Sequence, residues 1–580
     1  MDSFTEDIEK IQTIIKVKES TRFGIVGDRF ESSAEHTFSC ILLAQYFIKK
    51  IPYKLDELKV IKLLSYHDIQ NVFLKDINLS DDSWNNKKNL EKVAFQKTIV
   101  SLPSSISGDY EKYYTEFEEL LTTESRFAKA IDVLEPVIHA YNQKEHWKEG
   151  KWTESKLRMH KEQYLGDFPV LIKFFNDFVD YANKNDYFYK DWKNMKTTKL
   201  GLSGGEAIAY ALKQINPEVF AMYPITPQTP IIESYSKYSA NGLVDTEIIR
   251  TESEHSALSA TIGASASGVR AVTATASQGL LYMYEALGVA SGLRLPIVMP
   301  VANRAISAPI NIHCDHSDSM SAIDQGWMQV YCENAQEAYE MTLFSLRLAE
   351  SVFLPIMVCI DGFYTSHNLE VINVYDDSSV KKFIGELKPN YNLLDTERPI
   401  TVGALALPDS YFEIRKEMFD AFLEVKENYS KISKEFKSNF GKDINFYEDY
   451  FSSDSETVLV VLSSTAENSK DVIDKLRKEG KSVGLLRPIL FRPFLYEEYS
   501  KALKKAKKII VLERTEGPGS YPPLYKDICL SVINEKNKPE VISLVFGLGG
   551  RDLYQKDIEE LLVSVISGKK LKSRYIGIKE

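Results

Sequence analysis

Cysteine is scarce: five in 580 residues, at positions 40, 314, 332, 359 and 529, with no Cys-x-x-Cys among them. That excludes an iron–sulfur cluster held by this chain alone, because such clusters need grouped thiolates. The same scatter fits reduced thiols in a cytoplasm rather than a disulfide framework. Long apolar runs are missing as well, so no segment reads as a membrane span. The start of the chain, with Asp2, Glu6 and Asp7, lacks the cationic and apolar regions of a secretory signal. Positive charge is in deficit. Lys plus Arg number 71 against 82 Asp plus Glu, a net charge of −11, which argues against a nucleic-acid partner. The one basic run, Lys501 to Lys508, reads as the solvated face of a helix entering a strand.

A chain of 580 residues is too long for a single core, and three or four domains are expected. Residues 1 to about 190 read as nearly all helix. Apolar positions recur at helical spacing in Ala34–Ile48, Leu58–Phe73, Tyr113–Leu121 and Ser125–Tyr141. Lys184 to Lys199 is polar and aromatic without periodicity and reads as a linker. From Gly201 short apolar strands alternate with helices rich in Ala and Gly. Glu247–Arg250, Ala271–Thr275, Ile297–Val301 and Ile356–Ile360 are strand-like, which predicts a parallel sheet covered on both faces. A charged helix over Asp409–Asn439 leads to a second α/β unit. Its strands are expected at Val458–Leu462, Ser482–Leu486, Lys508–Leu512 and Val541–Phe546, before Gly547-Leu-Gly-Gly-Arg-Asp552.

Between Tyr223 and Asp318 lie three polar clusters, each in a strand–turn–helix pattern. They are Tyr223 to Thr229, Glu252-Ser253-Glu254-His255, and Asn303-Arg304-Ala305 continuing to Asp315-His316-Ser317-Asp318. Thr226 sits in a loop stiffened by Pro224 and Pro227. Arg304, at the end of a strand, can bind a carboxylate bidentately. Glu254 opens a helix carrying Ala257, Ala260, Gly263, Ala264, Ala266 and Gly268, residues that permit close backbone approach. On the residues alone, Glu252 and Glu254 also read as ordinary carboxylates at a positive helix terminus. Arg304 also reads as half of an ion pair, and Tyr223–Thr229 as a plain turn.

Together, and with Thr275-Ala-Ser277-Gln278-Gly279 between them, these clusters resemble the pyrimidine-binding domain of the pyruvate:ferredoxin oxidoreductase alpha subunit. The resemblance runs from about Lys196 to Glu580. The last unit resembles the transketolase C-terminal domain of the same family. The resemblance implies thiamine diphosphate, with Glu254 at the pyrimidine N1′ and Thr226 and Pro227 beside the cofactor. It also implies Thr226 and Arg304 on the 2-oxo acid. Pyruvate is the expected substrate, because Asn303–Asp318 resembles the pyruvate branch more than the 2-oxoglutarate or branched-chain ones. Thiamine enzymes hold the diphosphate and Mg²⁺ through Gly-Asp-Gly, and no such motif occurs here. Gly27-Asp28, Gly108-Asp109 and Gly166-Asp167 are followed by Arg29, Tyr110 and Phe168. The resemblance therefore implies a beta subunit carrying the diphosphate and Mg²⁺. It further implies gamma and ferredoxin-like delta subunits, ferredoxin as electron acceptor, and CoA as co-substrate.

The N-terminal residues carry a second pattern: Glu31-Ser-Ser-Ala-Glu35-His36, then His67-Asp68, then Glu124-Ser125-Arg126 through Asp132. His67 continues the stripe Val60, Leu63, Leu64, and Asp132 lies beside Phe127, Ile131, Leu134. Burying carboxylates there is costly unless they are paired or bound to metal. Two His and two Asp on three helices favour a divalent site with mixed ligands, such as Mn²⁺, Co²⁺ or Fe²⁺. The order resembles HD-domain phosphohydrolases, in particular the small 5′-deoxynucleotidase-like branch. That resemblance implies His36, His67, Asp68 and Asp132 as metal ligands, Asp76 as a further acidic group and Arg22 as a phosphate contact. Asn71 stands where the family usually has a catalytic Glu, and an amide cannot act as a general base. Ile25 replaces a common aromatic residue.

The fold class expected is thus multidomain. An all-α HD-type helical domain (1–190) precedes an α/β thiamine-diphosphate pyrimidine-binding domain (196–370), a connector (371–455) and an α/β transketolase C-terminal-like domain (456–580). Met195 stands where a separate alpha subunit would start. The function expected is a thiamine-dependent 2-oxo acid:ferredoxin oxidoreductase subunit with an HD domain attached. Two rivals remain: a 5′-nucleotidase as the main activity, and a non-catalytic HD module for nucleotide binding or assembly.

Overall fold

The computed structural model describes residues 3–74, 84–185, 187–189, 197–571 and 573–579. The chain divides into two compact units, Met1–Asn194 and Met195–Glu580. No helix among the described residues is long and apolar enough to cross a membrane.

The first unit is helical, and its helices start where side chains can satisfy the free N–H groups. Ser32 caps Ser33–Ile48 in a reciprocal box with Glu35, and Thr122 caps Thr123–His139 with Ser125. Their apolar faces meet in one core, with Cys40, Ala44 and Phe47 against Val60, Leu63 and Leu64 and against Phe127, Ile131 and Leu134. Phe175 and Val179 of Pro169–Lys184 close it. Two details depart from a continuous helical reading. Thr21–Val26 and Arg29–Ser32 pair as an antiparallel hairpin, turned at Gly27 with φ of 61°. The stretch Leu58–Phe73 is not one helix: Glu57–Tyr66 ends, and Ile69–Phe73 resumes as a 3₁₀ turn. His67 and Asp68 occupy the break, where the backbone leaves the α conformation and two consecutive side chains can face one place.

In the second unit a seven-stranded sheet is ordered Leu490–Arg492, Met328–Tyr331, Ile356–Asp361, Val298–Asn303, Ala271–Val272, Val219–Met222, Glu247–Arg250. All neighbours are parallel except the Leu490 edge strand, which is antiparallel. Every residue of Val298–Asn303 and Ile356–Asp361 is buried, as expected for strands between two helical layers. One face packs on Ala207, Leu212, Phe344 and Leu348, the other on Leu258, Leu280, Leu287 and Trp327. A five-stranded sheet follows, ordered Tyr447–Tyr450, Val483–Pro488, Thr457–Val461, Lys508–Glu513, Glu540–Val545. The 30-residue helix Tyr411–Phe440 links the two sheets in sequence.

The strand order places the ligand-binding edge. After Val219–Met222 the chain adds Glu247–Arg250 on one side, then crosses back to lay Ala271–Val272 on the other. Open parallel sheets bind ligands outside the carboxyl ends of their strands, at such a reversal. Thr226, Glu254, Ser277 and Arg304 all follow strands of this sheet at that end.

Candidate functional site

The second unit's site is built from three loops at the reversal. Glu254 begins the helix Glu254–Ala266, capped by Ser253. Its side chain is only 7% exposed as a residue, and among the described residues its carboxylate forms no ion pair. Burial therefore raises its pKa above the ordinary carboxylate value. Gly279 explains how the carboxylate fits. A Cβ there would lie 2.7 Å from Glu254 Oε1 and 2.6 Å from Thr275 Oγ1. Thr275 Oγ1 is itself buried without a hydrogen bond. Glu252 behaves differently: it is exposed, bonded to the Ser256 hydroxyl, and its pKa is lowered by that bond. The helix-terminus reading suits Glu252, and His255 lies beside the exposed Glu285.

Arg304 is 6% exposed. Its Nη1 donates to the Thr226 carbonyl at 2.9 Å and its Nε to the Asn311 carbonyl at 2.8 Å. The structure thus brings together the two residues assigned to the 2-oxo acid. Pro227 packs by Gly362, where a Cβ would come within 2.7 Å of its ring. Asp318 ties these loops together. Its Oδ2 accepts from the backbone N–H of Ser277 (2.8 Å) and Arg304 (2.9 Å). Its Oδ1 accepts from Asn303 Nδ2 and from Ser319 N, both at 2.7 Å. Burial pushes this carboxyl up to about 6 even against four donors. The loop at Gly549 and Gly550 closes over Asn311 and His313, with Asn311 Nδ2 donating to the Gly549 carbonyl at 3.1 Å.

These residues fit a thiamine pyrimidine: a buried carboxylate without an ion pair, beside a glycine whose side chain would fill the space. Sequence reasoning quoted Thr275, Gly279, Asn303 and Asp318 without giving them these roles.

The first unit gathers a second site. His36 lies one turn into Ser33–Ile48, and Cys40 follows one turn later. His36 Nδ1 is 2.8 Å from Glu135 Oε2, and its Nε2 is 3.1 Å from Asp132 Oδ1 and 3.4 Å from Cys40 Sγ. His67 Nδ1 is 2.6 Å from the Leu64 carbonyl. Its Nε2 lies 3.5 Å from Asp132 Oδ1 and 3.6 Å from Asp68 Oδ1, buried and without a hydrogen bond. Ligand atoms of His36, Cys40, His67 and Asp132 all lie within 4.8 Å of one another. Asp68 stands at the side of this group, its Oδ2 ion-paired with Arg22. Asp76 lies outside the described residues.

An orphaned imidazole nitrogen aimed at carboxylates suits a divalent ion, because the backbone bond at Nδ1 leaves Nε2 as the lone-pair atom. Cations surround the group. Lys129 Nζ is 3.3 Å from Asp132 Oδ2, and burial pushes the Lys161 ammonium down to about 8 despite the attraction of Asp132. The Asn71 side-chain amide donates to Ser33 Oγ at 3.2 Å, and the Asn71 backbone carbonyl accepts from Ser20 Oγ at 3.0 Å. Asn71 therefore fastens the 3₁₀ turn to the start of the His36 helix. Sequence reasoning missed Cys40, Glu135, Lys129 and Lys161. Only the i, i+4 spacing of His36 and Cys40 could have pointed to one of them.

Comparisons with known proteins divide the chain the same way. Residues 14–169 match the HD domain model. Residues 210–434 match pyruvate flavodoxin/ferredoxin oxidoreductase, thiamine diP-binding, and residues 455–558 match pyruvate:ferredoxin oxidoreductase core domain II. Pyruvate synthase subunit PorA of Thermotoga maritima is 47% identical over 386 residues, covering 66% of this chain and 98% of that protein. Ketoisovalerate oxidoreductase subunit VorA of Pyrococcus horikoshii is 41% identical over 373 residues, covering 63% and 95%. A solved 2-oxoglutarate:ferredoxin oxidoreductase from Magnetococcus marinus shares the fold, with a TM-score of 0.51 at 18% identity over 78% of this chain and 79% of that one.

The Asp318 network gives a direct test. In Asp318→Asn, whichever carboxylate oxygen becomes NH₂ meets two N–H donors. The variant should lose about 2–4 kcal/mol of stability in chemical denaturation. An unchanged midpoint would mean that the four donors find partners elsewhere.

Proposed function

The chain belongs to the pyruvate:ferredoxin oxidoreductase family, as the alpha subunit of a thiamine-dependent 2-oxo acid:ferredoxin oxidoreductase with an HD domain ahead of it, and from that premise we propose that its 2-oxo acid is pyruvate. The products are then acetyl-CoA and CO₂, with two electrons passed to ferredoxin. The observation that carries the reading is the buried Glu254 carboxylate, free of any ion pair among the described residues and lodged against Gly279. Bound thiamine diphosphate supplies the electron sink for cleaving the bond between the carboxylate and carbonyl carbons.

The chain's own part is to hold and orient. Glu254 hydrogen-bonds the pyrimidine N1′, and its raised pKa lets it share a proton with a ring nitrogen more evenly than an exposed carboxylate could. Pro227 borders the cofactor. Arg304 and Thr226 hold the substrate carboxylate, and the two bonds fixing the guanidinium limit the freedom it loses on binding. Identity alone does not choose the 2-oxo acid, since a ketoisovalerate enzyme is 41% identical. Pyruvate rests on the resemblance within Asn303–Asp318.

The half-site needs company. With no Gly-Asp-Gly in the sequence, a beta subunit supplies the Mg²⁺ and diphosphate ligands. With no grouped cysteines, gamma and ferredoxin-like delta subunits carry the electron path. The five free thiols suit a cytoplasmic enzyme. In the HD unit, His36, His67, Asp68 and Asp132 hold a divalent ion, with Mn²⁺, Co²⁺ and Fe²⁺ as candidates. Arg22 faces a phosphate, with Lys129 and Lys161 adding positive charge, which suits a 5′-nucleotide. Asp76 is left to activate water, so hydrolysis is slow.

Purified alone, the chain should reduce no viologen dye from pyruvate, even with thiamine diphosphate, Mg²⁺ and CoA added; turnover by the single chain would refute the half-site. In the assembled complex Glu254→Gln should slow proton exchange at the cofactor's C2 by about 10²-fold or more. Normal exchange in a correctly assembled variant would take Glu254 out of this role.

For the HD unit, Asn71→Glu should raise phosphate release from a panel of 5′-nucleotides by about 10-fold or more. His67→Ala should abolish metal binding, scored by mass spectrometry of metal content. Full metal occupancy in His67→Ala would place the ion elsewhere.

A further inference from the structure

The ligand atoms around His67 Nε2 include one that the HD pattern does not supply. Cys40 is fully buried four residues after His36, so both project from one face of the same helix. A buried cysteine is ordinarily a small apolar filler. Here its sulfur instead lies 3.4 Å from His36 Nε2, which is itself 3.1 Å from Asp132 Oδ1. His36 is fully buried and His67 is 2% exposed, and His67 Nε2 has no hydrogen-bond partner. Glu135 at His36 Nδ1 leaves the His36 Nε2 lone pair aimed at the same point.

Three of the separations are those of donors around one ion, and all four ligand atoms lie within 4.8 Å of one another. Metal–nitrogen and metal–oxygen bonds of about 2.1 Å and a metal–sulfur bond of about 2.3 Å set donor atoms about 3.4–3.6 Å apart. The separations are 3.1 Å from His36 Nε2 to Asp132 Oδ1, 3.4 Å to Cys40 Sγ, and 3.5 Å from His67 Nε2 to Asp132 Oδ1.

We propose that Cys40 is a thiolate ligand of the HD-unit metal, completing a four-ligand sphere with His36, His67 and Asp132. Asp68 then remains with Arg22. Binding exchanges one proton for one bond: the thiol loses H⁺ to solvent as its sulfur bonds the ion. The thiolate and Asp132 together neutralise a divalent charge. A sulfur ligand in a tetrahedral sphere favours Zn²⁺ or Co²⁺ over Mn²⁺ and Mg²⁺. With four protein ligands in place, water reaches the ion only if the sphere expands, which is in keeping with slow hydrolysis. The inference rests on the HD unit being a metal site and changes its ligand set.

The experiment uses the full chain. Zn²⁺-loaded protein is measured by X-ray absorption at the zinc edge, and Co²⁺-loaded protein by near-ultraviolet spectroscopy. The expected result is one sulfur neighbour at about 2.3 Å and a sulfur-to-cobalt charge-transfer band. The band should vanish in Cys40→Ser and persist in Cys314→Ser, and Zn²⁺ should bind Cys40→Ser at least about 10-fold more weakly. The wild-type edge spectrum stands even if Cys40→Ser fails to fold. A metal bound by nitrogen and oxygen alone would overturn the Cys40 assignment and leave the metal site standing. Protein that binds neither ion would overturn both.

Discussion

The catalytic edge of the second unit hangs on one carboxylate. Asp318 is fully buried and accepts four hydrogen bonds, two on each oxygen, from donors in three separate stretches of chain. Burying the charge is expensive, and its raised pKa shows that the donors do not recover the whole cost. The return is positional. Ser277 holds a φ of 48°, a left-handed conformation that a non-glycine residue rarely adopts, with its N–H fixed by Asp318. The same oxygen fixes the Arg304 N–H, so the loop carrying Gly279 and the loop carrying the guanidinium are set from one atom.

Beside that network, two buried and incompletely engaged groups lie where ligands are expected. Glu254 has no ion-pair partner among the described residues, and His67 Nε2 has no hydrogen bond. Native proteins pair most of their buried polar groups, and Asn303 Oδ1 and Arg514 Nε, also unpaired among the described residues, show that a missing partner does not by itself mark a ligand. The Glu254 and His67 sites differ in completeness. Around His67 the other donors come from this chain, whereas around Glu254 the chain offers a carboxylate, a glycine and Thr275 but nothing for a diphosphate.

How much of this could be read from the sequence depended on how local each signal was. Glu254, Thr226 and Arg304 stand in short motifs, and the structure sets each after a strand of the seven-stranded sheet, as the alternation of strands and helices predicted. The strand order that brings Gln228 to the Ala274 carbonyl is not a local property, nor is the approach of Gly279 to Glu254, which are 25 residues apart in sequence. Asp318 looked like one acidic residue among several, because its role comes from backbone N–H groups that carry no sequence signature. In the first unit, hydrophobic periodicity ran smoothly through His67 and hid the break that aims His67 and Asp68. The hairpin at Gly27 was too short to interrupt a helical reading. Cys40 was hidden for the opposite reason: its place on the buried stripe was fully explained by packing.

Asn71 lies at the junction of the 3₁₀ turn and the His36 helix. A catalytic glutamate at this place would need to present its carboxylate to metal-bound water. The Asn71 side chain instead donates its amide to Ser33 Oγ, and the backbone carbonyl of the same residue accepts from Ser20 Oγ, so the 3₁₀ turn is tied to the His36 helix. The general base has thus become a strut. A strut at that place is useful to a centre that must keep His36 and His67 in fixed register, and of no use to one that must activate water. Selection for holding an ion, without selection for turning over a phosphate ester, would leave the ligand cluster intact, the cationic rim in place and the base free to change. The Asn71–Ser33 bond and a fourth donor at Cys40 would both serve that one constraint.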